Sequence, residues 1–238
     1  MPHNGSFLAF DTSTDVMSIA LTDGVRVWQH TGPGGAKASA TLIPAILALL
    51  ADAGMALGNL QALAFGRGPG SFTGLRTACA VAQGLAFGAR GGAGISVLPM
   101  DTLMVLAEEA RPQGKSLHIT ALLDARMDEM YVQRYACSQS ILTAVGDCAL
   151  IRPEQLARED SMLYAGNVFE VYQGRLPDGL NNLSCLPTAT AMLRLAPRLA
   201  ASGHCVPADL ALPLYVRDKV ALTTQEREHI KALKLHTT

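Results

Sequence analysis

Residues 7–23, FLAFDTSTDVMSIALTD, set an apolar run against a carboxylate, Asp11, and follow it with a polar turn and a second apolar run. The pattern predicts a strand over 7–11, a returning strand over 16–23, and a tight Asp23-Gly24 turn into VRVWQH, residues 25–30. That is a three-stranded antiparallel start. Residues 118–137, HITALLDARMDEMYVQRYAC, echo it. Asp124 ends an apolar strand as Asp11 does, Asp128 follows it as Asp15 follows Asp11, and MYVQRY returns as VMSIAL does. Hairpins favour Asp at their turns, so the echo fits both ordinary turn chemistry and an internal duplication.

Working outward from the first hairpin, GPGGAK is a flexible link, and residues 39–54 read as a helix closed by Gly54 with Pro44 near its first turn. ALAFGR (62–67) is the next strand. A glycine loop leads to a helix over 73–88, N-capped by Ser71 or Thr73, and GISVLP (94–99) is another buried strand. In the second half a helix is expected near PEQLARE (153–159), a strand at SMLYAG (161–166), a helix over 188–202, and a closing segment LPLYVRDKVA (212–221). Strand and helix alternate, so the class is α/β with mixed sheets. The expected division is an N-terminal subdomain over 1–105, a second, reduced subdomain over 106–221, and a tail over 222–238.

Composition narrows the function. With 49% hydrophobic and 16% charged residues in 238, the chain can bury a large core. The apolar stretches are broken by Gly, Pro or charge, and MPHNGSF lacks the pattern of a signal peptide, so neither membrane insertion nor export is expected. The five widely spaced cysteines contain no C-x-x-C and suit reduced thiols, which points to the cytoplasm. The formal charge is −1 and no basic run forms a stripe, so any nucleic acid is expected to be held by something else.

The glycine loop itself, GRGPGSFTGLR (66–76), invites a phosphate-binding reading that its spacing refuses. A Walker loop needs Lys after its last Gly, where this chain has Leu75 and Arg76. The G-x-G-x-x-G dinucleotide spacing is absent, and Ser71 lies in P-G-S-F-T, not in G-x-S-x-G. What remains is a sharp turn delivering a capped helix, with exposed amides at the helix start as the alternative anion site.

The two helices flanking this loop lack a polar stripe. Asp52 is the only charge between Ser39 and Ala53, and Arg76 the only one between Thr73 and Ala89. A helix on the outside of a sheet should present polar residues to water, so both are expected to be covered, either inside the domain or, as favoured by the limited material of the second half, by a partner. Two small-residue rows, Ala78/Ala82/Ala86 and Ala80/Gly84/Gly88, permit close helix approach. Leu42, Ile46 and Leu49 on the first helix, and Arg76, Cys79, Ala80, Gln83 and Phe87 on the second, are the candidate partner contacts.

FDTSTDVMSIAL, GRGPGSFTGLR, the apolar helix after it, LDARMDEMY and PLYVRDKVA, in this order, resemble the TsaB (YeaZ) family. The resemblance implies an actin-like (ASKHA, RNase H-like) duplicated fold and a part in making threonylcarbamoyladenosine beside the tRNA anticodon. It implies a non-catalytic partner of TsaD, forming a heterodimer with it, working with the ATPase TsaE, touching tRNA only through the complex, and self-associating as a homodimer when isolated. In actin-like ATPases two strand-turn-strand loops hold phosphates, which makes Asp11, Thr12 and Ser13 the nucleotide-proximal candidates here. Loop 124–128, DARMD, has no Gly, and LYAGNVFEVYQG (163–174) lacks the Gly-Gly turn that accepts adenine. No cofactor is therefore expected on the chain alone, with ATP or ADP placed at a complex interface. The catalytic relatives carry His-x-x-x-His on the first long helix; the corresponding KASATLIP has no His, and Ala38 stands near a position where the family often has one. No metal site and no catalytic residue are expected. The competing readings are a stand-alone actin-like ATPase and a glycoprotease-like (M22) peptidase.

Overall fold

The computed structural model describes residues 5–112, 117–139 and 141–217. The chain folds into two five-stranded sheets. The first contains β1 (Phe7–Asp11), β2 (Val16–Thr22), β3 (Val27–Pro33), β4 (Ala62–Gly68) and β5 (Ser96–Asp101), in the order β3-β2-β1-β4-β5. The second contains β6 (Leu117–Arg126), β7 (Glu129–Ser138), β8 (Ile141–Ile151), β9 (Met162–Gly166) and β10 (Asn182–Ser184), in the order β10-β9-β6-β7-β8. These are the same sheet traced twice. In each, the first strand pairs antiparallel with the second and parallel with the fourth: β1 with β2 and β4, β6 with β7 and β9. The Asp11/Asp124 echo is thus part of a repeated topology, the duplicated α/β fold expected from the sequence.

The first copy carries α1 (Ala38–Ala53) between β3 and β4 and α2 (Phe72–Gly88) between β4 and β5. The second copy lacks both helices. At 153–159 only a short 3-10 turn, Pro153–Gln155, forms in place of the expected helix. Leu156 leaves the turn for the core, and the Glu159 amide donates to the Tyr164 hydroxyl at 2.7 Å, so the segment is too short and too tethered to propagate a helix. Two helices connect the halves: α3 (Thr102–Ala110), unanticipated, and α4 (Ala189–Ala201), within the helix expected over 188–202 and capped by the Thr188 side chain.

β1 is buried on both faces, so its alternation sorts two cores. Leu8 and Phe10 join Ile19, Leu63 and Phe65 beneath α1 and α2, whereas Phe7 and Ala9 meet Met192, Leu193 and Ala196 of α4 on the opposite face. Helix α3 packs on the second sheet with Ile119, Leu123 and Tyr135. The expected division at residue 105 is therefore not a packing boundary. Residues 189–214 return to the first sheet: Val97 and Val206 exchange backbone hydrogen bonds of 2.9 and 2.8 Å, and the Leu214 amide donates to the Arg67 carbonyl at 2.7 Å.

Pro44 lies well inside α1 and not in its first turn, while Gly54 closes the helix in the left-handed conformation (φ 65°) as predicted. Against the sequence reading, the segment Gly35–Ala53 is long and apolar enough to cross a membrane. In this fold its Leu42, Ile46, Leu49 and Leu50 are core residues under the first sheet.

Candidate functional site: the cleft loops and the outer helix face

The loop after β1 carries the first candidates. Asp11 is fully buried, and one carboxylate oxygen accepts from the Ser13 amide at 2.9 Å and from the Ser13 hydroxyl at 2.6 Å. The other oxygen has no hydrogen-bond partner and lies against Gly66, where any Cβ would overlap it. Burial pushes the carboxyl up to about 6, against the two Ser13 hydrogen bonds that pull it down.

The glycine loop seals this turn. The Ser71 amide donates to the Ser13 carbonyl at 2.7 Å, and a Cβ on Gly70 (φ 159°) would come within 2.7 Å of that same oxygen. The Thr12 hydroxyl donates to the Gly74 carbonyl at 2.7 Å. Ser71, not Thr73, caps α2, its hydroxyl accepting from the Gly74 amide at 3.4 Å. The glycines are there so that two backbones can touch, which is the structural role their spacing predicts.

A cleft of ≈ 380 Å³ opens between the halves, lined on one side by Ser13, Asp15, Ser71 and Phe72 and on the other by Asp124, Arg126 and Met127. Its second wall is the β6–β7 turn. Arg126, Met127 and Asp128 all have positive φ (60°, 57° and 60°), a backbone that L side chains rarely adopt. The turn is held by Asp124, whose Oδ1 accepts from the Arg126 amide at 2.9 Å and the Tyr172 hydroxyl at 2.8 Å. The Arg126 guanidinium reaches Asp124 Oδ2 at 3.2 Å and crosses the cleft to Asp15 at 2.6 Å.

The actin-like fold implies a nucleotide and its metal in this cleft, and the residues present do not fit them. Asp11 and Thr12 lie beneath the glycine loop and do not line the cleft; of the three candidates only Ser13 reaches it. Met127 and Arg126, the latter reaching across to Asp15, occupy the second wall, where small residues would have to approach phosphates. Among the described residues no group of three or more His, Cys, Asp or Glu is placed to hold a metal ion.

The candidate partner contacts separate into two sets. Leu42 and Ile46 are wholly buried, Leu49 and Cys79 nearly so, and all four belong to the core beneath the first sheet, which corrects their assignment to a partner surface. Gln83 is occupied within the chain: its Nε2 donates to the Ala211 carbonyl at 2.9 Å, beside the Cys79 thiol at 3.0 Å. Arg76 stacks over Phe72, 3.9 Å from the ring centroid, and donates to the Tyr215 hydroxyl at 3.0 Å. Ala80 and Phe87 remain on the outside. The face open to solvent is instead Ile43 (42% exposed) and Leu47 (52%) on α1 and Phe87 (73%) on α2, with the row Ala80/Gly84/Gly88 also exposed. Among the described residues, one face of each helix is thus covered inside the chain and the other is apolar and bare.

Sequence reasoning expected the closing segment but not what it meets: Arg217 pairs with Glu129 of the same chain at 2.6 Å. No local pattern joins positions so far apart.

Two sheets of identical connectivity, with a cleft between their first hairpins, define an α/β protein of the actin-like fold. The sequence matches, over residues 33–234, the family described as TsaD: tRNA N6-adenosine threonylcarbamoyltransferase. It is 31% identical over 224 residues to the tRNA threonylcarbamoyladenosine biosynthesis protein TsaB of Escherichia coli K12, covering 90% of this chain and 95% of that one. It is likewise 31% identical over 230 residues to TsaB of Haemophilus influenzae, covering 91% and 95%. Among solved structures, YeaZ from Pseudomonas aeruginosa is similar with a TM-score of 0.80 and 37% identity, covering 89% of this chain and all of that one. The chain belongs to the TsaB (YeaZ) family.

Proposed function

We propose that this chain serves tRNA threonylcarbamoyladenosine biosynthesis as a non-catalytic partner of a TsaD homologue, docking through the outer face of α1 and α2. The biosynthetic role rests on its similarity to the TsaB proteins. The non-catalytic role is supported by the sealed first loop, which keeps Asp11 out of the cleft, and by Met127 and the Arg126–Asp15 bridge, which stand where phosphates would have to approach. The observation that carries the docking role is the bare apolar face: Ile43, Leu47 and Phe87 stand out to water above a row of small residues that would let a partner helix approach.

In this reading the isolated protein pairs with itself through the same face, and the TsaD homologue displaces the second copy. A TsaE-type ATPase and tRNA join at the level of the complex. ATP or ADP sits at an interface and not in this chain's own cleft, and the work takes place in the cytoplasm.

The test is co-purification with the TsaD homologue, followed by calorimetric titration of wild-type chain and of Leu47→Asp. Binding by the wild type and its loss in the variant are expected. Full binding by Leu47→Asp together with Phe87→Asp would overturn the assignment of the face, and no binding by the wild type would overturn the partnership.

A further inference from the structure

The segment 211–217 has no regular secondary structure, yet it is fastened along its length to both halves of the molecule. On the first half, the Ala211 carbonyl accepts from Cys79 and Gln83 of α2, the Leu214 amide donates to the Arg67 carbonyl, and the Tyr215 ring lies 5.3 Å from that of Phe72. On the second half, Arg217 is inserted beside the β6–β7 turn. Its Nη2 donates to Glu129 Oε2 at 2.6 Å and to the Arg126 carbonyl at 3.2 Å, and its Nη1 meets the Met127 sulfur at 3.3 Å.

We propose that residues 211–217 form a latch across the cleft, with Arg217 as its pin, that fixes α2 relative to the 126–129 turn. The side chain of Arg217 is 14% exposed and that of Glu129 33%, so their pair is partly shielded from water and salt. Another contact across the cleft, Arg126–Asp15, is 68% and 82% exposed and contributes little to holding the halves. A further link, α3 against α4 with Glu108 between Arg111 and Arg194, is built into helices packed on both sheets. The latch differs in kind. No sheet hydrogen bond depends on it, so it can release while each sheet stays intact. Release frees the turn whose three residues hold positive φ, and it removes the Ala211 carbonyl from one flank of α2.

The latch stands whether or not α2 docks a partner, and its test contains none. Amide hydrogen exchange is measured on the full chain, wild type against Arg217→Ala, with Glu129→Ala as an independent removal of the same contact. Exchange should quicken at least about ten-fold at the Leu214 and Arg126 amides in both variants, while amides of β1 and β6 keep their protection. Unchanged exchange at Leu214 and Arg126 overturns the latch. Equal acceleration in β1 and β6 overturns it too, because Arg217 would then merely support the global fold.

Discussion

The hydroxyl of Thr12 donates to the carbonyl of Gly74 at 2.7 Å, and the carbonyl of Thr12 lies so close to the Gly74 Cα that a methyl group there would overlap it. The loop after β1 and the first turn of α2 are thereby locked backbone to backbone. The contact turns the loop after β1 into a seat for a helix. The position of α2, and with it the outer face, follows from the fit.

Replacing Gly74 by Ala should therefore destabilise the protein despite the helix propensity of alanine. Overlap with the Thr12 backbone costs about 1–3 kcal/mol beyond the roughly 1 kcal/mol that Ala gains over Gly in a helix. Gly84→Ala is the control, because nothing lies within 4 Å of its missing Cβ. It should raise stability by roughly 0.5–1 kcal/mol. Thermal melting should show a lowered Tm for the first and a raised Tm for the second.

Asp11 should give the fold a stability that declines with pH. Its folded-state pKa is raised from 3.8 to about 6, so the folded chain holds a proton that the unfolded chain has released. The associated stability is fully present below about pH 4 and is lost as pH rises through about 6, by an amount on the order of 3 kcal/mol. Asp11→Asn keeps an oxygen for the two Ser13 donors and has no charge to bury, so denaturant unfolding of this variant should lack that fall. An identical pH profile in both proteins would contradict the assignment.

Leu42 and Leu47 lie five residues apart on α1, on different faces, and should respond in opposite ways. Leu42 is buried in the core, and Leu42→Ala should cost about 2–5 kcal/mol of fold stability. Leu47 is half exposed, and Leu47→Asp should change stability by less than about 0.5 kcal/mol. The same variant should weaken binding of the TsaD homologue by roughly 30-fold or more, about 2 kcal/mol. Melting and titration of both variants separate the two effects.

Ser71→Ala should remove only a helix cap. The Ser71 hydroxyl accepts from Gly74 at a long 3.4 Å, and the backbone bond from Ser71 to Ser13 survives the substitution. A loss of about 0.5–1 kcal/mol is expected, with tRNA modification retained in the reconstituted system. Lost modification with intact folding and partner binding would make the loop chemical after all.

Purified alone, the chain should neither bind ATP at micromolar concentration nor turn it over, because Asp11 is sealed beneath the glycine loop and Arg126 bridges the cleft to Asp15. Calorimetry and phosphate release measure both. Multiple turnover would restore the ATPase reading.

Strand order within each hairpin, the αL closure of α1 at Gly54 and the cap of α2 were legible in the sequence, because each depends on residues a few positions apart. The repeat was legible only in part: its Asp-ended strands recur at matching positions, but hairpins favour Asp at their turns in any fold. The burial of α1 and α2 was legible only in part: an all-apolar composition says that a helix needs cover, but the rotation that hides Leu42, Ile46 and Leu49 and leaves Ile43 and Leu47 bare comes from β2 and β3 beneath it.

By itself the sequence determined the local geometry: alternation, turns, caps, and a glycine loop with the wrong spacing for phosphate. The tertiary structure alone decided what those pieces meet. Gln83 meets Ala211, Arg126 meets Asp15 and Arg217 meets Glu129, across separations of 128, 111 and 88 residues. No propensity encodes such pairs, because they form only after hydrophobic burial has folded α4 and the segment behind it back onto the first sheet.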